Sequence, residues 1–430
     1  MERTYIKDIK PNDTVKISGF IENLRDKKSM QFIVIKDVTG KLQVTVEKEK
    51  LPEIAEQFSK LIVGCVVSLE GQVVANEYVK MGGMEMIPSK IEVLSVSEAL
   101  PINNQAQMEE RLNYRWIDLR DEQKTLVFKI STLIEKAMRD FCCKNNFIEI
   151  HTPKISAQSS EGGSEVFKLD YFGTPAFLTQ SPQLYKQMAM ASGFERVFEI
   201  GDCFRAEQSF TSRHATEFTA LDIEMSYINS VNDVMDYEED LITYVLNEVN
   251  KVYANEVKET FGVDIKVPTK RAPRITYKNA LEILEREYGY KGASNDFDTE
   301  SERLICDYVK KNFDSEFVFI TDFPFSQRAF YSMKNKDKPE ICNAYDLLWK
   351  DVEITSGAQR EHRPTELANA ISEKGIEPAK MQDYIDFFKY GCPPHGGFAI
   401  GLARFVAKLL NLSSIKEATF LFRGPNRILP

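Results

Sequence analysis

The spacing of apolar side chains divides the chain into two regions with different patterns. In the first hundred residues, apolar and polar positions alternate in short runs, as they do in half-buried strands. These runs predict five strands and one helix between the third and the fourth strand: residues 15–21, 30–35, 42–46, 52–60 (the helix), 62–74 and 90–96. This order of elements is typical of a small OB-type β-barrel.

In the second region, apolar positions recur at three- and four-residue spacing, which indicates helices. Residues 99–125 contain Pro101 and Asn103, and their first part shows neither the alternation of a strand nor the spacing of a helix. We therefore assign them to a hinge or linker. Helices are predicted at residues 126–144, 183–192, 230–257, 278–288, 299–312, 364–374, 379–389 and 402–411. The fold class is therefore predicted as α+β, with a barrel at 1–98 and a larger domain at 126–430.

Composition narrows the class of protein. The 430 residues are 43% hydrophobic and 28% charged, and no apolar run approaches the roughly 20 residues that span a bilayer. The first residues show no secretory signal, so we expect a cytoplasmic protein that does not bind a membrane. The net charge of -10 counts against a nucleic-acid partner, but residues 1–50 carry 11 Lys and Arg against 8 Asp and Glu. A basic N-terminal module can still bind a polyanion.

The cysteine and histidine contents argue against disulfide bonds and against common metal sites. Seven cysteines without a Cys-x-x-Cys pair indicate reduced thiols rather than disulfides or a zinc site. Only four histidines are present, which argues against a multi-histidine metal site. The sequence also has no Gly-x-x-x-x-Gly-Lys-Ser/Thr loop for phosphate binding.

Candidate chemistry lies in four segments: residues 161–164 with 180–186, residues 196–228, residues 353–360 and residues 395–410. The second segment alternates so that Arg, Glu, Phe and Asp side chains face away from an apolar face. The third offers carboxylate and hydroxyl oxygens suited to Mg²⁺. The fourth has small residues that let a flat ligand approach the backbone. Taken singly, each segment also fits a structural role, such as a solvated strand face, a surface turn or a strand packed on a helix.

Taken together and in order, these segments resemble the three signature motifs of class II aminoacyl-tRNA synthetases. The first motif resembles residues 147–153, the second residues 204–219 and the third residues 397–404. The barrel is similar to the anticodon-binding domain of the aspartyl, asparaginyl and lysyl subclass. Residues 180–187 and 356–360 resemble aspartyl-tRNA synthetases of the shorter archaeal and eukaryotic type. The resemblance implies a catalytic domain built on an antiparallel sheet with flanking helices.

The resemblance also implies a role for individual residues. For ATP binding it implies Arg205, Glu207, Arg213, His214, Ala215, Phe218, Glu353, Gly401, Leu402, Ala403 and Arg404, with Arg205 and Arg404 catalytic. For aspartate binding it implies Glu161, Ser181, Gln183, Lys186, Arg205, Asp222, Ser356 and Arg360. Mg²⁺ is assigned to Glu353 and Ser356, and the tRNA anticodon to Arg25, Phe32 and Gln43. The implied protein is a homodimer that uses ATP, L-aspartate and tRNA.

Aspartate and asparagine are isosteric, so the size of the site cannot distinguish them. Lys186 and Arg360 are the two cations that a side-chain carboxylate requires, and asparagine would leave them without a counter-charge. Sites built on such pairing reject the unpaired analogue strongly. The sequence therefore favours aspartate over the asparaginyl alternative.

Two other questions stay open at the level of sequence. Ala403 and Gly424 stand where the family pattern usually has acidic residues, which supports a non-catalytic, synthetase-like protein that binds tRNA or a small ligand. Phe20 stands where tryptophan is usual, and Glu22 lies near a position that affects anticodon choice. These departures favour charging of tRNA(Asn) in addition to tRNA(Asp).

Overall fold

The computed structural model describes residues 1–103, 105–157, 165–292 and 297–430. These residues form two compact units, Met1–Asp118 and Leu119–Pro430. The division lies inside the segment 99–125 that the sequence assigns to a linker. Among the described residues, no helix is both long enough and apolar enough to cross a membrane.

The first unit contains a closed five-stranded barrel with the strand order β1-β2-β3-β5-β4. Its elements are β1 (Thr14–Asp26), β2 (Met30–Lys36), β3 (Lys41–Glu47), α1 (Pro52–Ser59), β4 (Val66–Ala75) and β5 (Met84–Ser95). The five predicted strands and the helix between the third and fourth are confirmed. The apolar positions of the alternating runs fill the barrel, with Ile17, Ile33, Val44 and Leu69 at most 1% exposed.

The fifth strand begins earlier than the sequence predicts. The sequence predicts a start at residue 90, two positions after Pro88. In the structure the strand passes through Pro88 at a register shift opposite Gly71. A Cβ atom on Gly71 would lie 2.8 Å from Cα of Pro88, so the glycine makes this close approach possible.

The segment predicted as a linker contains helical structure. Two short helices, α2 (Met108–Asn113) and α3 (Arg115–Asp118), lie within it, and α4 (Glu122–Lys144) begins before its end. Asp121 caps α4 by accepting a hydrogen bond from the backbone N–H of Gln123 at 2.8 Å. The predicted start at residue 126 missed this cap because the apolar period begins only after it.

The second unit is built on an eight-stranded mixed sheet with the order β12-β13-β14-β15-β16-β11-β10-β6. Neighbouring strands are antiparallel except for the pairs at the two edges, which are parallel. The strands are β6 (Ile148–Glu149), β10 (Arg196–Phe204), β11 (Glu217–Ser226), β12 (Arg274–Thr276), β13 (Phe317–Thr321), β14 (Ala344–Trp349), β15 (Val352–Gln359) and β16 (His395–Gly401). A small separate sheet contains β7 (Ile155–Ser156), β8 (Lys168–Tyr171) and β9 (Thr174–Leu178).

Each helix predicted after residue 126 is present in the structure. The helices that follow α4 are α5 (Gln183–Ala191), α6 (Val231–Phe261), α7 (Tyr277–Tyr288), α8 (Thr299–Phe313), α9 (Pro364–Glu373), α10 (Gln382–Lys389), α11 (Leu402–Leu409) and α12 (Ile415–Ala418). One face of the large sheet packs on α4 and α6 in the main core, to which Leu221, Ile223 and Met225 of β11 belong. Because side chains alternate along a strand, Asp222 and Glu224 point to the opposite face.

Candidate active site

A row of polar and small side chains crosses the centre of the large sheet. Glu199 of β10 lies opposite Asp222 of β11, and Asp222 lies opposite Ala399 of β16. Ser356 of β15 lies opposite Ala399 and also opposite Asp346 of β14. Directly opposite residues of antiparallel strands share a face. All five side chains therefore lie on the face that is turned away from the main core.

Glycine opens the adjacent row. Glu224, Gly397 and Ala358 lie opposite one another on β11, β16 and β15. A Cβ atom on Gly397 would lie 2.0 Å from the carbonyl oxygen of Ile223 and 2.4 Å from Oε2 of Glu224. Only glycine leaves room here for the Glu224 carboxylate, which is completely buried.

Lys186 reaches this floor from α5, and its side chain is 3% exposed. Its ammonium group lies 3.1 Å from Oδ1 of Asp222, 3.3 Å from the carbonyl oxygen of Ile223 and 3.3 Å from Oε2 of Glu224. Burial raises the pKa of Asp222 against the opposing charge of Lys186. Lys186 is therefore a buried cation whose three protons already have acceptors.

Arg360 follows the end of β15 and is also buried. Its Nε and Nη2 atoms donate to the two carboxylate oxygens of Glu224 at 3.1 and 3.4 Å, and Nη2 also donates to the carbonyl oxygen of Gly397 at 2.9 Å. Burial alone would raise the pKa of Glu224, but the charges of Arg360 and Lys186 outweigh it and lower that pKa. Glu224 thus holds both predicted cations. The Nη1 group of Arg360 has no hydrogen-bond partner among the described residues.

A second cluster lies around the end of β10 and the start of β11. The guanidinium carbon of Arg205 lies 5.5 Å from the ring centroid of Phe218, and Nη1 of Arg205 lies 3.8 Å from Oε1 of Glu207. Nε2 of His214 lies 4.0 Å from Oε2 of Glu207. Burial and then the nearby charge of Arg404 lower the pKa of His214. The cluster combines an aromatic face with cations, which suits a nucleotide base and its phosphates.

Arg213 and Arg404 connect this cluster to the strand that bears Glu353. Nη1 of Arg404 donates to the carbonyl oxygen of Glu353 at 2.8 Å, and its Nη2 group lies 3.5 Å from the carbonyl oxygen of Arg213. Nη1 of Arg213 donates to Oε2 of Glu302 on α8 at 2.7 Å. In this structure a protein carboxylate therefore neutralises the arginine that the sequence assigns to ATP.

Three carboxylates, from Glu302, Asp346 and Glu353, line a cavity of about 160 Å³ beside this cluster. Arg328 donates to both oxygens of Asp346, at 2.8 and 2.5 Å, and to Oγ of Ser356 at 2.9 Å. Burial and the neighbouring Asp346 raise the pKa of Glu353. Carboxylate and hydroxyl oxygens are ligands that suit a divalent cation.

The described residues include no cluster of three or more His, Cys, Asp or Glu side chains arranged to hold a metal on their own. Mg²⁺ commonly binds through one or two carboxylates together with substrate phosphates. The donor set of Glu353, Ser356 and Asp346 fits an ion of that kind, which arrives with a nucleotide.

Two family models together match nearly the whole chain. The model of class II tRNA synthetases (D, K and N) matches residues 107–423, and the model of the OB-fold nucleic acid binding domain matches residues 15–94. The chain is a class II tRNA synthetase. An aspartate–tRNA(Asp) ligase from Pyrococcus abyssi is 43% identical to this synthetase. The match covers 97% of this synthetase and 96% of the Pyrococcus abyssi protein. An aspartate–tRNA(Asp/Asn) ligase from Aeropyrum pernix is 40% identical over 97% and 95% of the two chains.

Solved structures similar to the synthetase come from both amino-acid specificities. The asparaginyl-tRNA synthetase from Pyrococcus horikoshii with asparaginyl-adenylate has a TM-score of 0.93 and 32% identity, covering 100% of both chains. The aspartyl-tRNA synthetase from Entamoeba histolytica has a TM-score of 0.88 and 30% identity, covering 100% of this chain and 93% of that one. The family acts as aminoacyl-tRNA ligases on ATP, an amino acid and tRNA, with a divalent metal ion.

The synthetase brings most of the predicted catalytic-domain residues into these two adjacent clusters. Gly401 ends β16 opposite Ala220, while Leu402 and Ala403 begin α11. Ala215 lies in the loop that joins β10 to β11, and Ser181 precedes α5, where its carbonyl oxygen accepts a hydrogen bond from Thr179. Glu161 lies outside the described residues.

The predicted anticodon residues lie on the barrel of the first unit. Arg25 and Phe32 are directly opposite each other on β1 and β2, and the guanidinium carbon lies 5.7 Å from the ring centroid. The amide nitrogen of Gln43 on β3 donates to Oε2 of Glu85 at 3.0 Å. The exposed arginine and the half-buried aromatic ring thus form a platform on adjacent strands, of the kind on which a base can stack.

Four charged residues of the site were not predicted from the sequence of the synthetase: Glu224, Glu302, Arg328 and Asp346. Glu224 carried a usable signal, since it is two positions after Asp222 on the same face of a strand. Asp346 is marked only by its pairing with Ser356 across two strands. Glu302 and Arg328 have no local sequence signal, because a helix and a loop far along the chain bring them to the site.

Proposed function

We propose that this synthetase is an aspartate–tRNA ligase. An oxygen of the aspartate α-carboxylate attacks the α-phosphorus of ATP, the bond to the β-phosphate breaks, and pyrophosphate leaves. A terminal ribose hydroxyl of tRNA then attacks the acyl carbonyl of aspartyl-adenylate, and AMP leaves. Such a reaction depends mainly on alignment and charge neutralisation.

The observation that carries the proposal is the buried cation pair of Lys186 and Arg360 beside Asp222 and Glu224. From the sequence, Lys186 and Arg360 are two cations without counter-charges, but in the structure each has a buried carboxylate partner. Discrimination therefore depends on hydrogen-bond donors rather than on net charge. The Nη1 group of Arg360 presents only N–H groups. A side-chain carboxylate accepts from them with either oxygen, whereas the amide NH₂ of asparagine cannot.

On the nucleotide side, we assign the adenine base to Phe218, Arg404 and Glu207, and the phosphates to Arg205, Arg213 and His214. These residues belong to the cluster around the end of β10 and to the arginine contacts beside it. We assign to Arg205, at the end of β10, contact with both the α-phosphate and the reacting carboxylate. Arg213 must exchange the carboxylate of Glu302 for a phosphate when ATP binds.

We assign the divalent metal to Mg²⁺ held by Glu353 and Ser356, with Asp346 on the adjoining strand. When bound, Mg²⁺ neutralises triphosphate charge and orients the phosphate chain. In this structure Arg328 donates hydrogen bonds to the Asp346 carboxylate and to the Ser356 hydroxyl.

We further propose that the protein acts as a homodimer in the cytoplasm, on tRNA(Asp) and also on tRNA(Asn). The curated relatives include ligases named for tRNA(Asp) alone and ligases named for both tRNAs. The departures at Phe20 and Glu22 in the barrel favour the wider range.

The proposal is tested by ATP–pyrophosphate exchange on the purified protein with Mg²⁺ and aspartate, asparagine or neither. Aspartate-dependent exchange is expected. Exchange only with asparagine would contradict the assignment of Arg360, and no exchange with either would favour the non-catalytic alternative. Charging of transcribed tRNA(Asp) and tRNA(Asn) with labelled aspartate then defines the tRNA range.

Asparagine is the second candidate substrate because one of the similar solved structures is an asparaginyl enzyme with a TM-score of 0.93. Fold similarity of this kind does not identify the side chain that a site accepts. The relatives from Pyrococcus abyssi and Aeropyrum pernix, at 43% and 40% identity, are named for aspartate. Parallel exchange assays with both amino acids decide between them.

A further inference from the structure

A chain of buried polar side chains connects Gln183 to the backbone at Pro393. Its members are Gln183 and Gln187 on α5, Tyr384 on α10 and His395 at the start of β16. Their exposed fractions are 4%, 0%, 1% and 0%. Buried polar groups almost always have hydrogen-bond partners. Because these four side chains are partners of one another, the donor and acceptor roles of each restrict those of the next.

The hydrogen bonds form an unbroken path. Nε2 of Gln183 donates to Oε1 of Gln187 at 2.8 Å, and the hydroxyl of Tyr384 donates to the same oxygen at 2.8 Å. Nε2 of Gln187 lies 2.9 Å from Nε2 of His395. Nδ1 of His395 lies 2.8 Å from the carbonyl oxygen of Pro393.

The carbonyl of Pro393 sets the direction of the whole path, because a carbonyl oxygen can only accept. Nδ1 of His395 must therefore carry a proton, and a neutral ring then has its lone pair at Nε2. Burial lowers the pKa of His395 to about 4, which keeps the ring neutral at physiological pH. The ring accordingly accepts a hydrogen bond from Gln187.

The orientation of the Gln187 amide in turn determines the orientation of the Gln183 amide. The NH₂ group of Gln187 faces the histidine, so its oxygen faces Gln183 and Tyr384. The NH₂ group of Gln183 is then committed to Gln187. Oε1 of Gln183 has no hydrogen-bond partner among the described residues, and it is the group left to meet a ligand. An amide oxygen accepts from an ammonium group and cannot donate to a carboxylate.

We propose that Gln187 and His395 are positioning residues that hold the amide of Gln183 with its oxygen toward the substrate ammonium group. The inference rests on the proposed function, in which Gln183 orients the amino acid. Without the path, the amide of Gln183 could turn and present its NH₂ group to the ammonium, which would repel it.

The first test is Gln187→Met, which keeps the size of the side chain and removes both the acceptor and the donor. In ATP–pyrophosphate exchange we expect the KM for aspartate to rise about tenfold or more, as for the loss of a hydrogen bond to a charged group. The KM for ATP should stay within about twofold, because the path contacts only the amino-acid side. His395→Gln, which retains an acceptor, should impair aspartate binding less than His395→Leu.

A double-mutant cycle shows whether Gln187 acts through Gln183. In a Gln183→Met background, adding Gln187→Met should change the KM for aspartate less than about twofold, because the group that it orients is already absent. Full additivity of the two substitutions would overturn the proposal. So would an equal rise in the KM for ATP.

Gln359→Met is the matched control. Gln359 is also a buried glutamine, 7% exposed, whose oxygen accepts from Asn343 at 3.0 Å. A similar loss of thermal stability without a rise in the KM for aspartate is expected. If this control raised that KM as strongly as Gln187→Met, the effect would be general loosening of the fold and not positioning.

The tautomer of His395 gives a readout that does not depend on activity. Imidazole ¹⁵N chemical shifts of the full-length wild-type protein should show Nδ1 protonated and Nε2 unprotonated at neutral pH. The opposite tautomer would overturn the proposal even if the enzyme activates aspartate. Absence of aspartate activation with the expected tautomer would instead contradict the proposed function alone.

Discussion

At the scale of single residues, the proposed amino-acid side of the site is a balanced set of buried charges. Lys186 and Arg360 share the carboxylate of Glu224, and Lys186 also contacts Asp222. Removal of one member leaves another charge buried without a partner, which typically costs about 3–5 kcal/mol. Lys186→Leu is therefore expected to weaken the fold as well as aspartate activation, so it is a poor probe of specificity.

Arg360→Lys is the sharper substitution. Lysine keeps the charge but cannot form the two-point contact with Glu224 or present a second N–H pair to the substrate. We expect the KM for aspartate in pyrophosphate exchange to rise about tenfold or more, with little change in the KM for ATP. Arg363→Lys is the control, since that side chain is 51% exposed and pairs with Glu361. Equal effects of the two substitutions would contradict the role of Arg360.

At the scale of elements, α6 supports the sheet beneath the metal-site strands. Tyr345 of β14 lies opposite Gly357 of β15, and its hydroxyl donates to Oε2 of Glu238 on α6 at 2.6 Å. A Cβ atom on Gly357 would lie 2.4 Å from the Tyr345 ring, so only glycine at this position leaves room for the ring. Burial raises the pKa of Glu238 to about 8, against the hydrogen bond that it accepts from Tyr345.

The raised pKa of Glu238 predicts a pH dependence of stability. Between about pH 4.5 and 8 the unfolded chain has lost this proton while the folded chain retains it. The contribution of Glu238 to the free energy of unfolding therefore falls as pH rises through that window, by up to about 1.4 kcal/mol per unit. Glu238→Gln should remove this fall.

Urea unfolding of the wild type and of Glu238→Gln at pH 5, 6.5 and 8 measures this difference. The stability of the variant relative to the wild type should increase with pH. Glu256→Gln on the exposed side of the same helix is the control and should follow the wild type. A stability difference between Glu238→Gln and the wild type that is constant with pH would show that Glu238 ionises normally in the fold.

At the scale of the whole molecule, the proposed tRNA-binding and substrate-binding residues lie on different compact units. The barrel carries Arg25, Phe32 and Gln43, and the second unit carries both substrate clusters. Phe32→Ala should raise the KM for tRNA in aminoacylation by about tenfold, since a stacked base contributes about 1–3 kcal/mol. Pyrophosphate exchange should be unchanged because it needs no tRNA.

Tyr78→Ala is the control for Phe32→Ala, because Tyr78 is 87% exposed in a loop of the same unit. It should alter neither reaction. If Phe32→Ala reduced exchange as much as aminoacylation, the assignment of Phe32 to the anticodon would be wrong.

Assembly is also a property of the whole molecule. Ile148 in the first motif and Ile155, two positions after it, are 48% and 45% exposed in the single chain. Exposed apolar side chains in one region favour association with a second copy. Sedimentation equilibrium should give about twice the chain mass of 49.3 kDa. A monomer at assay concentrations would contradict the proposed homodimer.

The sequence by itself determined the barrel strands, the longer helices of the second region and the segments that carry chemistry. Alternation placed the five barrel strands, and the three- and four-residue period placed the helices, because each signal depends on neighbours a few residues apart. The order of the motifs led to the family and to residues such as Arg205, Phe218 and Arg404. Local period also shows that Asp222 and Glu224 share a face.

Only the tertiary structure decided which of these groups meet and which are already satisfied. The bond from Arg360 to Glu224 joins positions 136 apart, and the contact of Gln187 with His395 joins positions 208 apart. No local pattern encodes which strands become neighbours, so the sequence left Lys186 and Arg360 as unmatched cations. Burial at the centre of the sheet required each of them to have a carboxylate, and strand order brought Glu224 there.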